Sequence, residues 1–374
     1  MKNKIKVMSI FGTRPEAIKM APLIKELEKS DQIESIVCVT AQHREMLDQV
    51  LEIFDITPDY DLDIMQQKQT ITGITTRALQ GLEEVIQEAE PDLVLVHGDT
   101  TTTFVGALAA FYNKVKIGHV EAGLRTYNKH EPFPEEMNRV LTTSLADLHF
   151  APTEAAKQNL LKEGIAEETI FVTGNTVIDA LQYTLNDAHE FEEPLLNEID
   201  FNNNRVITVT AHRRENLGEP LKDICEAILQ ITEDYDDVQI IYPMHRNPVV
   251  RETAISILGK HPRIHLIEPL TLTDMHNLLN KSHLVLTDSG GLQEEVPSMG
   301  VPVLVLRNVT ERPEGVEAGT LKLAGTEKAN IIKLTKELLD SQEAYSKMAK
   351  AVNPFGDGRA SERIVASILS SCGG

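Results

Sequence analysis

The chain has 374 residues and no tryptophan, and its aromatic residues of all kinds amount to 5%. With 41% apolar and 25% charged residues, that composition reads as an ordinary soluble α/β protein. Only three cysteines are present, Cys38, Cys225 and Cys372, far apart and without C-x-x-C spacing. A disulfide framework and a thiolate zinc site are therefore not expected, and a reducing cytoplasm fits. No apolar run approaches the roughly 18 residues of a membrane span, and the run after "MKNKIK" is too short for a signal peptide. Positive charge is also scarce. The formal net charge of -21 argues against nucleic acid or an anionic membrane as partner. Any anionic ligand must be held by local clusters of Arg, Lys and His against that field.

What is present is an alternation of short apolar runs and amphipathic stretches. Val7–Phe11, Ser35–Thr40, Leu93–His97, Lys116–Val120, Leu148–Ala151 and Thr169–Thr173 read as buried strands. After an acidic passage the alternation restarts with "RVITVT" and continues at Val238–Tyr242, Ile264–Ile267, Leu284–Thr287 and Val301–Leu306. The length predicts two domains. The pattern predicts two Rossmann-like α/β domains with parallel sheets facing across a cleft. The expected bounds are residues 1–175 and 176–356, with the C-terminal helix 357–374 completing the first domain.

In parallel sheets, ligands bind beyond the carboxyl ends of the strands, and the loops there are unusual. "FGTRPEAIKMAPL" offers Gly12 for a tight turn, Pro15 for a first helical position, and Arg14 and Lys19 as cations near a helix start. An exposed arginine in a turn explains that loop equally well. "HGDTTTT" places Asp99 at a strand end, where capping the next helix is the simpler reading. "GHVEAGLR" and "PEEMNR" add Glu121, Arg125, Glu135 and Glu136. Four carboxylates in strand-end loops exceed what helix dipoles need.

"TAHRRENLGEP" opens the second half with His212, Arg213 and Arg214, a set suited to a diphosphate. In "TDSGGLQEEVPSMG", Ser289, Gly290 and Gly291 form a strand-to-helix turn whose amides suit a phosphate, with Glu294 and Glu295 one turn later. A carboxylate there would repel phosphate but accept hydrogen bonds from ribose hydroxyls, so a nucleoside diphosphate reconciles the two.

His97, Asp99, His119, Glu121 and His212 include metal-type donors. No H-E-x-x-H or P-C-x-x-C accompanies them. No metal is expected. G-x-G-x-x-G and the Walker sequence are also missing.

Taken in order, "FGTRPEAIKMAPL", "HGDTTTT", "GHVEAGLR", "PEEMNR", "TAHRRENLGEP", "TDSGGLQEE", "TERPEG" and "NPFGDGRASERI" resemble the bacterial non-hydrolysing UDP-N-acetylglucosamine 2-epimerases. The resemblance runs from about residue 5 to the C-terminus. It implies a glycosyltransferase-B-type fold, a homodimer, and interconversion of UDP-GlcNAc and UDP-ManNAc for cell-surface polysaccharide such as teichoic acid, without a cofactor. By motif it implies Asp99, Glu121, Glu135 and His212 as catalytic residues. It implies Arg14, Lys19, Arg213, Met275, Ser289, Gly290, Gly291, Glu295 and Arg312 as substrate-binding. Gram-positive-type members also bind a second UDP-GlcNAc as activator through the loop seen here as "TAQHREM", which would involve Gln42, His43 and Lys68. The chain departs from some members at Leu270 and Met275, where those carry Gln and Phe near the uracil. It departs again at Glu45 and Lys68, which replace a Gln and an Arg. A hydrolysing relative, a glycosyltransferase of the same fold and a non-catalytic UDP-sugar sensor are the alternatives.

Overall fold

The computed structural model describes residues 4–41, 44–66 and 69–372. The chain divides into two compact units, one comprising the residues up to Tyr183 and those from Phe355 on, the other Thr184–Pro354. Each is built on a sheet in which every pairing is parallel.

The first sheet contains β1 (Ile5–Phe11), β2 (Ile33–Val39), β3 (Tyr60–Asp61), β4 (Leu93–His97), β5 (Lys116–Val120), β6 (Leu148–Ala151) and β7 (Ile170–Val172). Its order is β3-β2-β1-β4-β5-β6-β7. The second contains β8 (Arg205–Thr210), β9 (Val238–Pro243), β10 (Ile264–Ile267), β11 (Leu284–Thr287), β12 (Val303–Val305) and β13 (Leu321–Leu323). Its order is β10-β9-β8-β11-β12-β13. The apolar strands are buried on both faces, as helix-covered parallel strands must be. Met8, Ile10, Val94 and Val96 pack against Leu82, Ile86 and Ala107 in the first unit. Ile207, Val209, Ile240 and Leu286 pack against Ile224, Ile228 and Ile331 in the second.

In each sheet the direction of strand addition reverses at one place, between β1 and β4 and between β8 and β11. The loops after these strands diverge there, which opens a crevice at the carboxyl ends. The Arg14 and Asp99 loops follow β1 and β4, and the His212 and Ser289 loops follow β8 and β11. Topology thus selects four of the motif-bearing loops as site formers. No helix among the described residues is long and apolar enough to cross a membrane.

Two expected bounds shift. The first unit extends past residue 175 to Tyr183, because the helix Thr176–Thr184 is tied to the C-terminal segment. Asp179 on that helix accepts the amides of Ala360 (3.1 Å) and Ser361 (2.7 Å), satisfying the start of the helix Ala360–Cys372. The Asn175 amide likewise donates to the Phe355 carbonyl at 2.7 Å, so the crossing back occurs at Phe355 rather than 357. β3 and β13 were not expected at all. They are short edge strands, too brief to show a period.

Candidate functional site

Each unit carries its own loop cluster. In the first, β1 is followed by Gly12, where an added Cβ would lie 1.9 Å from Thr40 Oγ1. Only glycine allows that approach between the ends of β1 and β2. Thr13 then caps the helix Arg14–Glu28, with Glu16 closing a capping box and Pro15 in its first turn. Arg14 is half-buried, and burial lowers its pKa. Among the described residues it has no hydrogen bond or ion pair, which leaves its guanidinium available to an anion.

Asp99 is not a helix cap. Thr100 caps the following helix by accepting from the Thr103 amide at 3.2 Å, and Asp99 instead forms an ion pair with Arg139. Burial raises the Asp99 pKa, Arg139 opposes that rise, and Glu121 adds to it. Glu121 in turn pairs with Lys19 and accepts from Asn175 Nδ2 at 2.8 Å, with His97 Nε2 at 3.8 Å. Asp99 and Glu121 therefore belong to one electrostatic cluster with two cations.

Asp99 and Glu121 lie beyond the ends of their strands. β4 and β5 end at His97 and Val120, and the backbone turns left-handed at Gly98 (φ 68°) and at Glu121 itself (φ 62°). A non-glycine residue held in that region is strained, and such strain concentrates at functional positions. His97 and His119 are buried, and desolvation drives their pKa values down to about 4 and about 3. His119 Nε2 lies 2.8 Å from the Gly98 carbonyl and donates to it. No group of three His, Cys, Asp or Glu among the described residues is placed to hold a metal.

Glu135 and Glu136 start the helix Glu135–Leu145 and divide their tasks. Glu136 is buried and accepts from the amides of Thr126 (3.1 Å) and Tyr127 (2.9 Å), holding the preceding loop. Glu135 is half-buried, with no hydrogen bond or ion pair among the described residues, so its carboxylate is the uncommitted one.

In the second unit, His212 and Arg213 follow β8. Their amides donate to Asp288 Oδ2 at 2.7 and 2.8 Å, and Arg213 Nε donates to the Asp288 carbonyl at 3.3 Å. A Cβ on Gly290 would lie 3.7 Å from the Arg213 guanidinium and 3.9 Å from that of Arg312. Two guanidinium groups thus converge on the turn after β11. Arg312 is itself held by Glu294, which gives the first of the paired glutamates a structural task. The cradle is smaller than expected, because the Ser289 amide donates to Thr287 Oγ1 at 3.0 Å. The amides of Gly290 and Gly291 open the helix Gly290–Glu295 and have no intrahelical acceptor.

Glu295 accepts from His276 Nε2 at 3.1 Å, and His276 Nδ1 lies 2.7 Å from Thr184 Oγ1. The imidazole fixes the second glutamate while leaving it 13% exposed, enough to meet a ligand. Met275 is half-buried and packs against the cluster of Leu279, Val296 and Val303. Gln42, His43 and Lys68 lie outside the described residues.

Arg139, Asn175, His276 and Asp288 are positioned against the expected site residues but were not singled out. Arg139 and Asp288 stand inside quoted motifs. Their roles come from partners far away in sequence, such as the 76 residues between His212 and Asp288.

A family model described as UDP-N-acetylglucosamine 2-epimerase matches residues 25–369. The UDP-N-acetylglucosamine 2-epimerase of Bacillus subtilis (strain 168) is 59% identical over 366 residues, which is 98% of this chain and 95% of that protein. Among solved structures, S. aureus MnaA with UDP is 55% identical, with a TM-score of 0.89 and coverage of 99% and 97%. The UDP-GlcNAc 2-epimerase of Neisseria meningitidis, crystallised with UDP-GlcNAc, is 51% identical, with a TM-score of 0.87 and coverage of 98% and 100%.

Proposed function

The chain belongs to the UDP-N-acetylglucosamine 2-epimerase family, and on that premise we propose that it interconverts UDP-GlcNAc and UDP-ManNAc without releasing free sugar. The observation that carries this reading is the pairing of Asp99 and Glu121 in one cluster with Arg139 and Lys19. Inverting a carbon by proton exchange needs protonic groups in plural, and a protein that only sensed UDP-sugars would need none of them.

The chemistry dictates the order of events. C2–H has no neighbouring carbonyl and is not acidic. Breaking the C1–O bond to UDP gives oxocarbenium character, which acidifies C2–H. A carboxylate then takes that proton, leaving 2-acetamidoglucal and UDP. Protonation of C2 from the other face and return of the UDP oxygen to C1 complete the inversion. Asp99, Glu121 and Glu135 supply the acid–base groups. His212, Arg213, Arg312 and the Gly290–Gly291 amides stabilise the departing diphosphate, Arg14 and Lys19 are further substrate-binding cations, and Glu295 holds the ribose. Relatives that bind UDP and UDP-GlcNAc support the ligand assignment.

Glu295→Ala is expected to weaken UDP binding by about 1.5–3 kcal/mol, through loss of charge-assisted hydrogen bonds to ribose. Calorimetry with UDP measures this, and unchanged affinity would reduce Glu295 to a partner of His276.

Resemblance also supports a homodimer, a cytoplasmic role in cell-surface polysaccharide supply, and a second UDP-GlcNAc as activator near Gln42, His43 and Lys68. One NMR time course tests both the reaction and the activator. Started from UDP-GlcNAc, it is expected to accumulate UDP-ManNAc, whereas free ManNAc with UDP would establish a hydrolase. Started from UDP-ManNAc, it is expected to show a lag that added UDP-GlcNAc shortens. A lag-free reverse course would remove the activator.

A further inference from the structure

The Asp288 carboxylate is fully buried and its two oxygens are treated unequally. Oδ2 accepts the His212 amide, the Arg213 amide and Asn216 Nδ2, at 2.7, 2.8 and 3.0 Å. Asn216 is itself anchored by donating to the Leu306 carbonyl at 3.0 Å. Oδ1 has no hydrogen-bond partner among the described residues. A buried carboxylate oxygen without a donor is costly and calls for an explanation. The group it faces is the His212 ring, whose Nδ1 lies 3.3 Å away.

We infer that Asp288 is the positioning residue of His212, keeping its proton on Nδ1 and stabilising the imidazolium when the ring gains a second proton. This rests on the diphosphate-stabilising role proposed for His212. Two constraints act on the ring. Its backbone is fixed by Oδ2 and its plane by stacking on His245 at 5.2 Å and 9°, which leaves its Nδ1 edge facing Oδ1. Nε2 has no hydrogen-bond partner among the described residues and is the atom we assign to the ligand.

The charges around the ring explain why an acid is needed. His245 from the loop after β9 and Arg213 from the ring's own loop both disfavour a proton on His212, and burial disfavours it most. Asp288, from the loop after β11, is the group that opposes them. Without it, a diphosphate alone would have to charge the imidazole. With it, an Nδ1–H bond to Oδ1 compensates the ring on one edge while Nε2–H donates to the departing oxygen on the other.

The test uses the full chain labelled with 15N-histidine, with and without UDP, and His212 assigned by its loss in His212→Asn. In the wild type at high pH the neutral ring is expected as the Nδ1–H tautomer. Asp288→Asn retains an oxygen for the two amides but turns an NH2 group toward Nδ1. It should move the proton to Nε2, lower the His212 pKa in the UDP complex by about one pH unit or more, and reduce kcat about tenfold or more with a smaller change in UDP affinity. An Nε2–H tautomer in the wild type overturns the inference, and that measurement needs no variant to fold. So does an Asp288→Asn protein with the wild-type tautomer and pKa. A wild type that produces no UDP-ManNAc would sink the functional reading instead, leaving the tautomer result to stand separately.

Discussion

Asp99→Asn, Glu121→Gln and Glu135→Gln are each expected to lose about two to four orders of magnitude in kcat, the range that a positioned acid or base contributes. Each substitution keeps the side chain's shape and removes its proton transfer. Their effects on stability should differ, because their surroundings do. Glu121 holds Lys19 and Asn175, so a neutral amide there leaves a partly buried ammonium without its carboxylate. Asp99→Asn leaves Arg139, among the described residues, with Glu136 as its carboxylate partner, at 3.4 Å. Glu135 has no such partner among the described residues, and its variant should melt with the wild type. Steady-state rates with calorimetry and thermal melts on all three check this. A Glu135→Gln enzyme of normal turnover would remove Glu135 from the reaction.

His212→Asn should keep the fold and most of the UDP affinity while kcat falls about a hundredfold or more, as when one preorganised donor to a developing negative charge is removed. In the free protein burial lowers the pKa of this ring, and Asp288 opposes that shift. In the proposed mechanism a diphosphate beside it acts in the opposite sense to burial, so protonation would follow charge development at the leaving oxygen. An asparagine amide can donate a hydrogen bond but cannot take up a proton. The backbone amide at 212 that anchors the loop to Asp288 survives the change, which is why binding should suffer less than turnover. Near-normal turnover would take His212 off the catalytic list.

Much of this arrangement was legible in the sequence because helix-covered parallel strands leave short, mostly apolar runs. Leu93–His97, Lys116–Val120, Leu148–Ala151, Ile264–Ile267 and Leu284–Thr287 could be bounded to the residue for that reason. β3 and β13 lack a run of that length. The strand-end loops stood out because Arg, His and paired carboxylates there have no packing role that the pattern could supply. Pairing partners were not visible. Asp99 looks like an N-cap from its neighbours, and only the fold shows Arg139 against it and Thr100 taking the cap. Glu294 and Glu295 are adjacent in sequence, yet one holds Arg312 and the other meets His276. The unequal use of the Asp288 oxygens is likewise a three-dimensional fact.

The central claim is that a proton leaves C2 and returns, and running the reaction in deuterated water tests it most directly. UDP-GlcNAc incubated with the protein should yield UDP-ManNAc carrying deuterium at C2, with label also entering the returned UDP-GlcNAc as equilibrium is approached. The C2 proton resonances would fade while C1 remains protonated. UDP-ManNAc formed with only protium at C2, and UDP-GlcNAc still unlabelled after repeated interconversion, would contradict elimination and readdition and the acid–base roles assigned to Asp99, Glu121 and Glu135.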